Sequence, residues 1–186
     1  VNIDRQSYNH TSKKTDAEKD STKKALLNKD FRQSVNFAID RTAYSAQLNG
    51  EKGAALAVRN ILVKPDFVYA GDKSFGDLVT EKMASYGDEW SGVNLKDSQD
   101  GIFNADKAKT EVNKAKEALQ AQGVQFPIHL DLPVDQTSKL NVSKAQSLKQ
   151  TIEKSLGSEN VVIDINQLSS DDMQNVTINA ANAAAE

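Results

Sequence analysis

Between residues 126 and 168 the hydrophobic period changes twice, and this constrains the fold more than any other feature of the chain. Phe126, Ile128, Leu130 and Leu132 alternate with Pro127, His129 and Asp131, the two-residue repeat of a strand with one wet face. Val142, Ala145, Leu148, Ile152 and Leu156 then recur at helical spacing, and Gly157 closes the run. Val161, Ile163 and Ile165 alternate again, with Leu168 at the end. Strand, helix, strand in that order predicts parallel neighbours joined by a right-handed crossover, with the helix covering one sheet face.

Helices surround this unit. Ala108, Val112, Ala115 and Leu119 line one face of a helix predicted over 105–121, with Asn104 as its cap and Gly123 just beyond it. In NKDFRQSVNFAIDR, residues 28 to 41, Phe31, Val35, Ala38 and Ile39 share a face while Gln33 and Asn36 are expected to look outward. Asn28 is placed to accept from a free N–H of the first turn, and Asp30 sits favourably against the helix dipole. Ser169 and Asp172 resemble a capping box for a last helix through Met173, Val176 and Ala180.

The first hundred residues are less regular. VNID reads as the tail of a strand, residues 9 to 20 as a solvated loop, and Ser21 to Leu27 as a short helical turn. Thr42 to Leu48 forms a second short helix that stops at Asn49 and Gly50, and Ala54 to Ile61 another. A helical turn is expected at Asp77 to Tyr86 within an otherwise irregular stretch. The architecture expected is α/β, or mixed α+β, with a small sheet and packed helices. Its organisation is a helical, irregular part, 1–103, and a βαβ-containing part, 104–186.

At 186 residues, with 38% hydrophobic and 26% charged content, the chain can bury a real core. A formal charge of -3 with scattered lysines disfavours nucleic acid. Without cysteine there is no disulfide, thiolate metal site or cysteine nucleophile. No run approaches the ~20 apolar residues of a membrane span. Val1 opens the chain without an initiator methionine and AANAAAE reads as a helix interrupted in mid-turn, so both ends are expected to be limits of an excised piece.

Candidate chemistry is sparse. His10 and His129 have no second histidine or carboxylate at metal-ligand spacing and read as ordinary polar residues. Asp97, Asp100 and Asp106 supply oxygens but lack the register of a calcium loop, so turn and cap roles are expected. The glycines form no phosphate cradle, and no serine sits on a strand-to-helix elbow. Asp40 and Arg41 point about 100° apart on a helix, and the arginine is expected to pair with a carboxylate rather than act in catalysis. YGDEW, with Tyr86 and Trp90, reads as a surface loop. PVDQT, residues 133 to 137, leaves the carboxyl end of a strand, where open α/β sheets bind ligands, which brings Asp135, Gln136 and Lys139 forward. The competing reading makes Asp135 or Thr137 a turn cap.

NKDFRQSVNFAIDR resembles the "N…FRQAI..AIDR" signature of extracellular solute-binding proteins of the peptide and nickel class. FNADKAKTEVNKAKEALQAQGV is similar to their "yNPeKAKelLaeAG" helix. In NIDRQSYNHTSKK, YGDEW, DSQDG and GVQFPIHLDLPVDQT the chain resembles streptococcal oligopeptide-binding lipoproteins of the Ami/Ali type, over essentially all its residues. The resemblance implies part of the C-terminal lobe of a two-lobed, periplasmic-binding-protein-like receptor. Such a receptor is lipid-anchored outside a Gram-positive membrane and hands oligopeptides to ABC permease subunits. It implies no catalytic residue, no metal and no cofactor. By the same resemblance Asn2 and Asp4 lie beside the peptide, Val134, Asp135, Gln136 and Lys139 border its pocket, and the aspartate that binds the peptide amino group lies beyond residue 186. The segment alone is expected not to bind. The alternative is a structural or protein-interaction domain that contacts the permease or another partner.

Overall fold

The computed structural model describes residues 2–180. In chain order the elements are helices α1 (Asp16–Leu27), α2 (Lys29–Ala38) and α3 (Arg41–Ala54), strands β1 (Tyr69–Ala70) and β2 (Lys73–Ser74), and helices α4 (Phe75–Ala84) and α5 (Ala105–Gln120). Strand β3 (Ile128–Asp135), helix α6 (Lys139–Leu156), strand β4 (Val161–Leu168) and helix α7 (Ser170–Met173) complete them. Among the described residues, 2–39 and 105–180 form one compact unit, and 40–104 a second.

In the first unit β3 and β4 are parallel, in register from Ile128↔Val161 to Asp135↔Leu168, as the strand, helix, strand pattern requires. α6 lies on both strands and buries Ala145, Ile152 and Leu156. Ser138 caps its start by accepting from the Asn141 N–H, and it ends at Gly157, whose φ of 83° a side chain would strain. α5 buries the expected Ala108, Val112, Ala115 and Leu119 and packs against α2.

Asn28 joins two helices at a corner. Its N–H donates to the last carbonyls of α1, and its side chain accepts from the Phe31 N–H at 2.9 Å, so one residue ends α1 and starts α2. α2 then uses two faces. Phe31, Val35 and Ile39, spaced by four, line a cavity, Phe31 being fully buried there, and Gln33, Ser34, Phe37 and Ala38 are buried outside its lining. Gln33, expected outside, is 7% exposed. It stands four residues before Phe37, one turn away on the same face, and is covered together with that ring.

The start of the chain departs most from expectation. Residues 2–4 form no strand: the Asn2 side chain accepts the Asp4 N–H at 3.0 Å and bends the backbone. Val1 lies outside the described residues. α1 begins at Asp16, well before Ser21, because Thr15 and Glu18 make a reciprocal capping box, with N–H to side-chain distances of 3.2 and 2.8 Å. Backbone N–H groups of Thr15 and Lys14 hold the Glu18 carboxyl below its ordinary range. At the other end the Ser169–Asp172 cap forms, but α7 is short and continues as a π-helical turn over Gln174–Ile178. The AANAAAE end lies outside the described residues.

In the second unit Asp40 caps α3, accepting the Ala43 N–H at 2.8 Å. Arg41 gives Asp100 its backbone N–H at 2.6 Å and guanidinium bonds at 2.7 and 3.2 Å, and donates to Asn60 at 2.8 Å. Both residues are therefore scaffold, and Arg41 pairs with a carboxylate as expected. Burial pushes the Asp100 carboxyl up, but the bonds from Arg41 and the Phe103 N–H outweigh it and leave it below the ordinary range. The helix expected over 54–61 shrinks to a 3-10 turn, Ala55–Ala57, after which the extended Val58 accepts the Ser98 N–H. The irregular stretch holds an antiparallel β1–β2 hairpin and α4, which Ser74 caps at the expected helical turn.

Phe37 is completely buried while Val35 is half-buried at the cavity. Phe37→Ala is expected to cost about 3–5 kcal/mol in urea unfolding, and Val35→Ala distinctly less. Equal losses would contradict the division of α2 into a core face and a cavity face.

Candidate functional site

The polar face of β3 and β4 sets two carboxylates side by side, because the parallel register pairs Asp131 with Asp164. A strap formed by residues 5 to 13 brings Arg5 and Lys13 to Asp131 and the Ser12 hydroxyl to Asp164. Asp131 Oδ2 accepts from Arg5 Nη1 at 2.6 Å, Thr11 Oγ1 at 2.7 Å and Lys13 Nζ at 2.7 Å. Its Oδ1 accepts from the Ser12 N–H and from Asn166 Nδ2, each at 3.3 Å. Asn166 also donates to the His10 carbonyl at 2.6 Å, which ties the strap to β4. At Asp131 the face expected to be wet is thus covered: the side chains of Lys13 and Asp131 are each 1% exposed.

Burial alone would raise the Asp131 carboxyl. Hydrogen bonds from Lys13, Thr11 and Arg5, with the Lys13 charge, more than reverse this and hold it far below the usual carboxylate range. On Asp164, Ser12 Oγ and His129 Nδ1 converge on the same oxygen, at 2.5 and 2.8 Å. The carboxylate is shared between them, an arrangement that fixes side chains rather than passing a proton from serine to base. No group of three or more His, Cys, Asp or Glu that could hold a metal occurs among the described residues.

Beside the strap lies a cavity of about 440 Å³. Leu26 of α1, the Phe31, Val35, Ile39 stripe of α2, Leu148 and Ile152 of α6, and Leu130, Leu132 and Ile163 of the sheet make it mainly apolar. Asn2, Ile3, Arg5, Lys23 and Arg32 also line it. The consecutive residues Leu130 to Pro133 all contribute, so it takes in both faces of β3 and therefore wraps a strand edge. A concave, apolar hollow with a few polar groups suits side chains of an extended ligand or chain segment.

A second place lies at the carboxyl ends of the strands. Asp135 Oδ1 accepts the Thr137 N–H at 2.8 Å and its hydroxyl at 2.7 Å, while Oδ2 accepts from Ser170 Oγ at 2.8 Å. The Gln136 N–H donates to the Leu168 carbonyl at 2.9 Å, so the two strand ends are laced together. Thr137, by hydroxyl and N–H, and then Ser170 hold the Asp135 carboxyl below its ordinary range.

The six residues singled out from the sequence fall in separate surroundings. Asn2 lines the cavity; Asp4 is exposed nearby in sequence, its carbonyl and carboxylate accepting from Gln6 at 3.3 Å. Val134 is a core residue, 5% exposed, and Asp135 is engaged in its turn. Gln136 and Lys139 are exposed. Sequence reasoning missed the strap residues Arg5, Thr11, Ser12 and Lys13. The available signal was Asp131 and Asp164 on the same face of neighbouring parallel strands, an arrangement that demands cations.

No protein-family model matches the chain. Over all 186 residues it is 69% identical to the oligopeptide-binding protein AmiA of Streptococcus pneumoniae serotype 4 and 62% identical to the oligopeptide-binding protein SarA of Streptococcus gordonii. With the oligopeptide-binding protein AliA of Streptococcus pneumoniae serotype 4 the identity is 61%. The chain is homologous to the streptococcal Ami/Ali oligopeptide-binding proteins. It spans about 28% of the length of these relatives. Each of these relatives is named as an oligopeptide-binding protein. The strap over Asp131 and the cavity beside it are built from residues distant in sequence.

Asp131 sits below its unfolded value, so it contributes stability above about pH 4, the unfolded aspartate range, and the contribution drains as pH falls toward the folded value. Asp131→Asn is expected to lose about 3–5 kcal/mol at neutral pH because Lys13 is left buried and unpaired. Its urea midpoint should then depend less on pH than the parent's below about pH 4. Parallel acid profiles would contradict this assignment.

Proposed function

We propose that the chain is part of the C-terminal lobe of an extracellular oligopeptide-binding receptor that delivers peptides to an ABC importer without catalysis. The observation that carries this reading is the identity of 69% to AmiA across all 186 residues. The parallel βαβ unit is consistent with a lobe of a periplasmic-binding-protein-like receptor. In this reading the parent is lipid-anchored at the outer face of a Gram-positive membrane and meets permease subunits there. No described helix is long and apolar enough to cross a membrane.

The proposed ligand wall comprises Asn2 and Asp4 at the start and the segment from Val134 to Lys139. Gln136 and Lys139 offer exposed polar side chains, and Asp135 shapes the turn that presents them. Recognition of many sequences calls for hydrogen bonds to the peptide main chain and for hydrated, loosely selective side-chain pockets. A lobe closing from the other side supplies the burial that one wall lacks.

Titration calorimetry with a mixture of short peptides tests the reading. The full-length parent is expected to release binding heat, and the 186-residue segment none at micromolar concentration. A parent that binds no peptide overturns the proposal, and a segment that binds alone overturns the requirement for two walls. A second reading, an interaction domain, is favoured by one feature of residues 40–104: Leu62, Phe67, Val68 and Tyr69 are at least half exposed. Capture of permease subunits by the segment in the absence of peptide would support it.

A further inference from the structure

Asn49–Gly50 is the only Asn-Gly pair in the sequence, and the fold presents it to water. Both residues are exposed, and helical geometry breaks at Gly50, with φ 66° and ψ 168°. A Cβ placed on Gly50 would meet nothing within 4 Å. The side of Gly50 that a Cβ would occupy is therefore open to solvent. The Asn49 amide donates to the Ser45 carbonyl and hydroxyl at 3.3 and 3.0 Å, both exposed bonds that water can replace.

We propose that Asn49 is a site of spontaneous, non-enzymatic deamidation in the folded protein, with water as the co-reactant. The Gly50 nitrogen loses its proton to solvent and attacks Asn49 Cγ. The bond from Cγ to Nδ2 breaks, and the nitrogen leaves as ammonia with a proton regained from water. The resulting five-membered succinimide is opened by one water at either carbonyl, which gives aspartate or a β-linked isoaspartate. No oxidation or reduction takes place.

The product alters the local electrostatics. A carboxylate appears at the carboxyl end of the helical stretch from Arg41, where the helix dipole disfavours negative charge, and next to Glu51. The isoaspartate form also inserts an extra backbone carbon at the helix break. Modification is therefore expected to loosen this end of α3 while leaving the βαβ unit unchanged.

The test is peptide mapping by mass spectrometry after the folded chain is held at mildly alkaline pH. The fragment from Thr42 to Lys52 should gain the mass of an amide-to-acid exchange and yield isoaspartate, ahead of every other asparagine-containing fragment. Asn49→Gln should abolish the early product, because a six-membered ring closes far more slowly. Gly50→Ala should lose most of it, and Gly50→Asn, which tolerates positive φ better, guards against misfolding of the alanine variant. An unmodified fragment while other asparagines react, or equal rates in the parent and both Gly50 variants, overturns the proposal.

Discussion

Asp131 is the group on which the first unit depends. Parallel register forces it beside Asp164, and two carboxylates on one sheet face repel unless cations or donors reach them. Residues 5 to 13 supply Arg5, Lys13, Thr11 and Ser12, and in doing so they lie across the sheet and cover Asp131. A charge buried this deeply is costly without partners and tolerable only when its lone pairs are filled. The strap is thus held by electrostatic necessity more than by apolar contact, and it defines one side of the adjoining cavity.

The same economy of residues governs α2. Asn28 fixes where the helix begins, and its side chains then divide between α5 and the cavity. In the second unit a different charged hub, Arg41 with Asp100 and Asn60, gathers the start of α3 with the loop around residue 100. Each unit has its own buried or half-buried carboxylate held below its ordinary range. In both, residues with the composition of an active site are committed to structure.

That commitment fits a binding role. Ser12, His129 and Asp164 meet without forming a relay, and Asp135 spends its oxygens on Thr137 and Ser170. In the proposed reading a hollow beside β3 and the exposed side chains of Gln136 and Lys139 face the peptide. A receptor that accepts many peptides needs backbone contacts and permissive pockets rather than a reactive centre.

Periodicity made the βαβ unit legible because each repeat reports only a local angle, about 180° per residue on a strand and 100° on a helix. The face of α5, the Gly157 end of α6 and the scaffold roles of Asp40 and Arg41 were readable for the same local reasons. The α1 cap at Thr15 was also local, but it lay hidden within a charged stretch that reads as loop. Three features were decided only by tertiary structure: the burial of Gln33, the covering of Asp131, and the return of the first 39 residues to the sheet. Each depends on contacts between segments more than a hundred residues apart, or on which of two helix faces a neighbour takes, and no local repeat encodes such a choice.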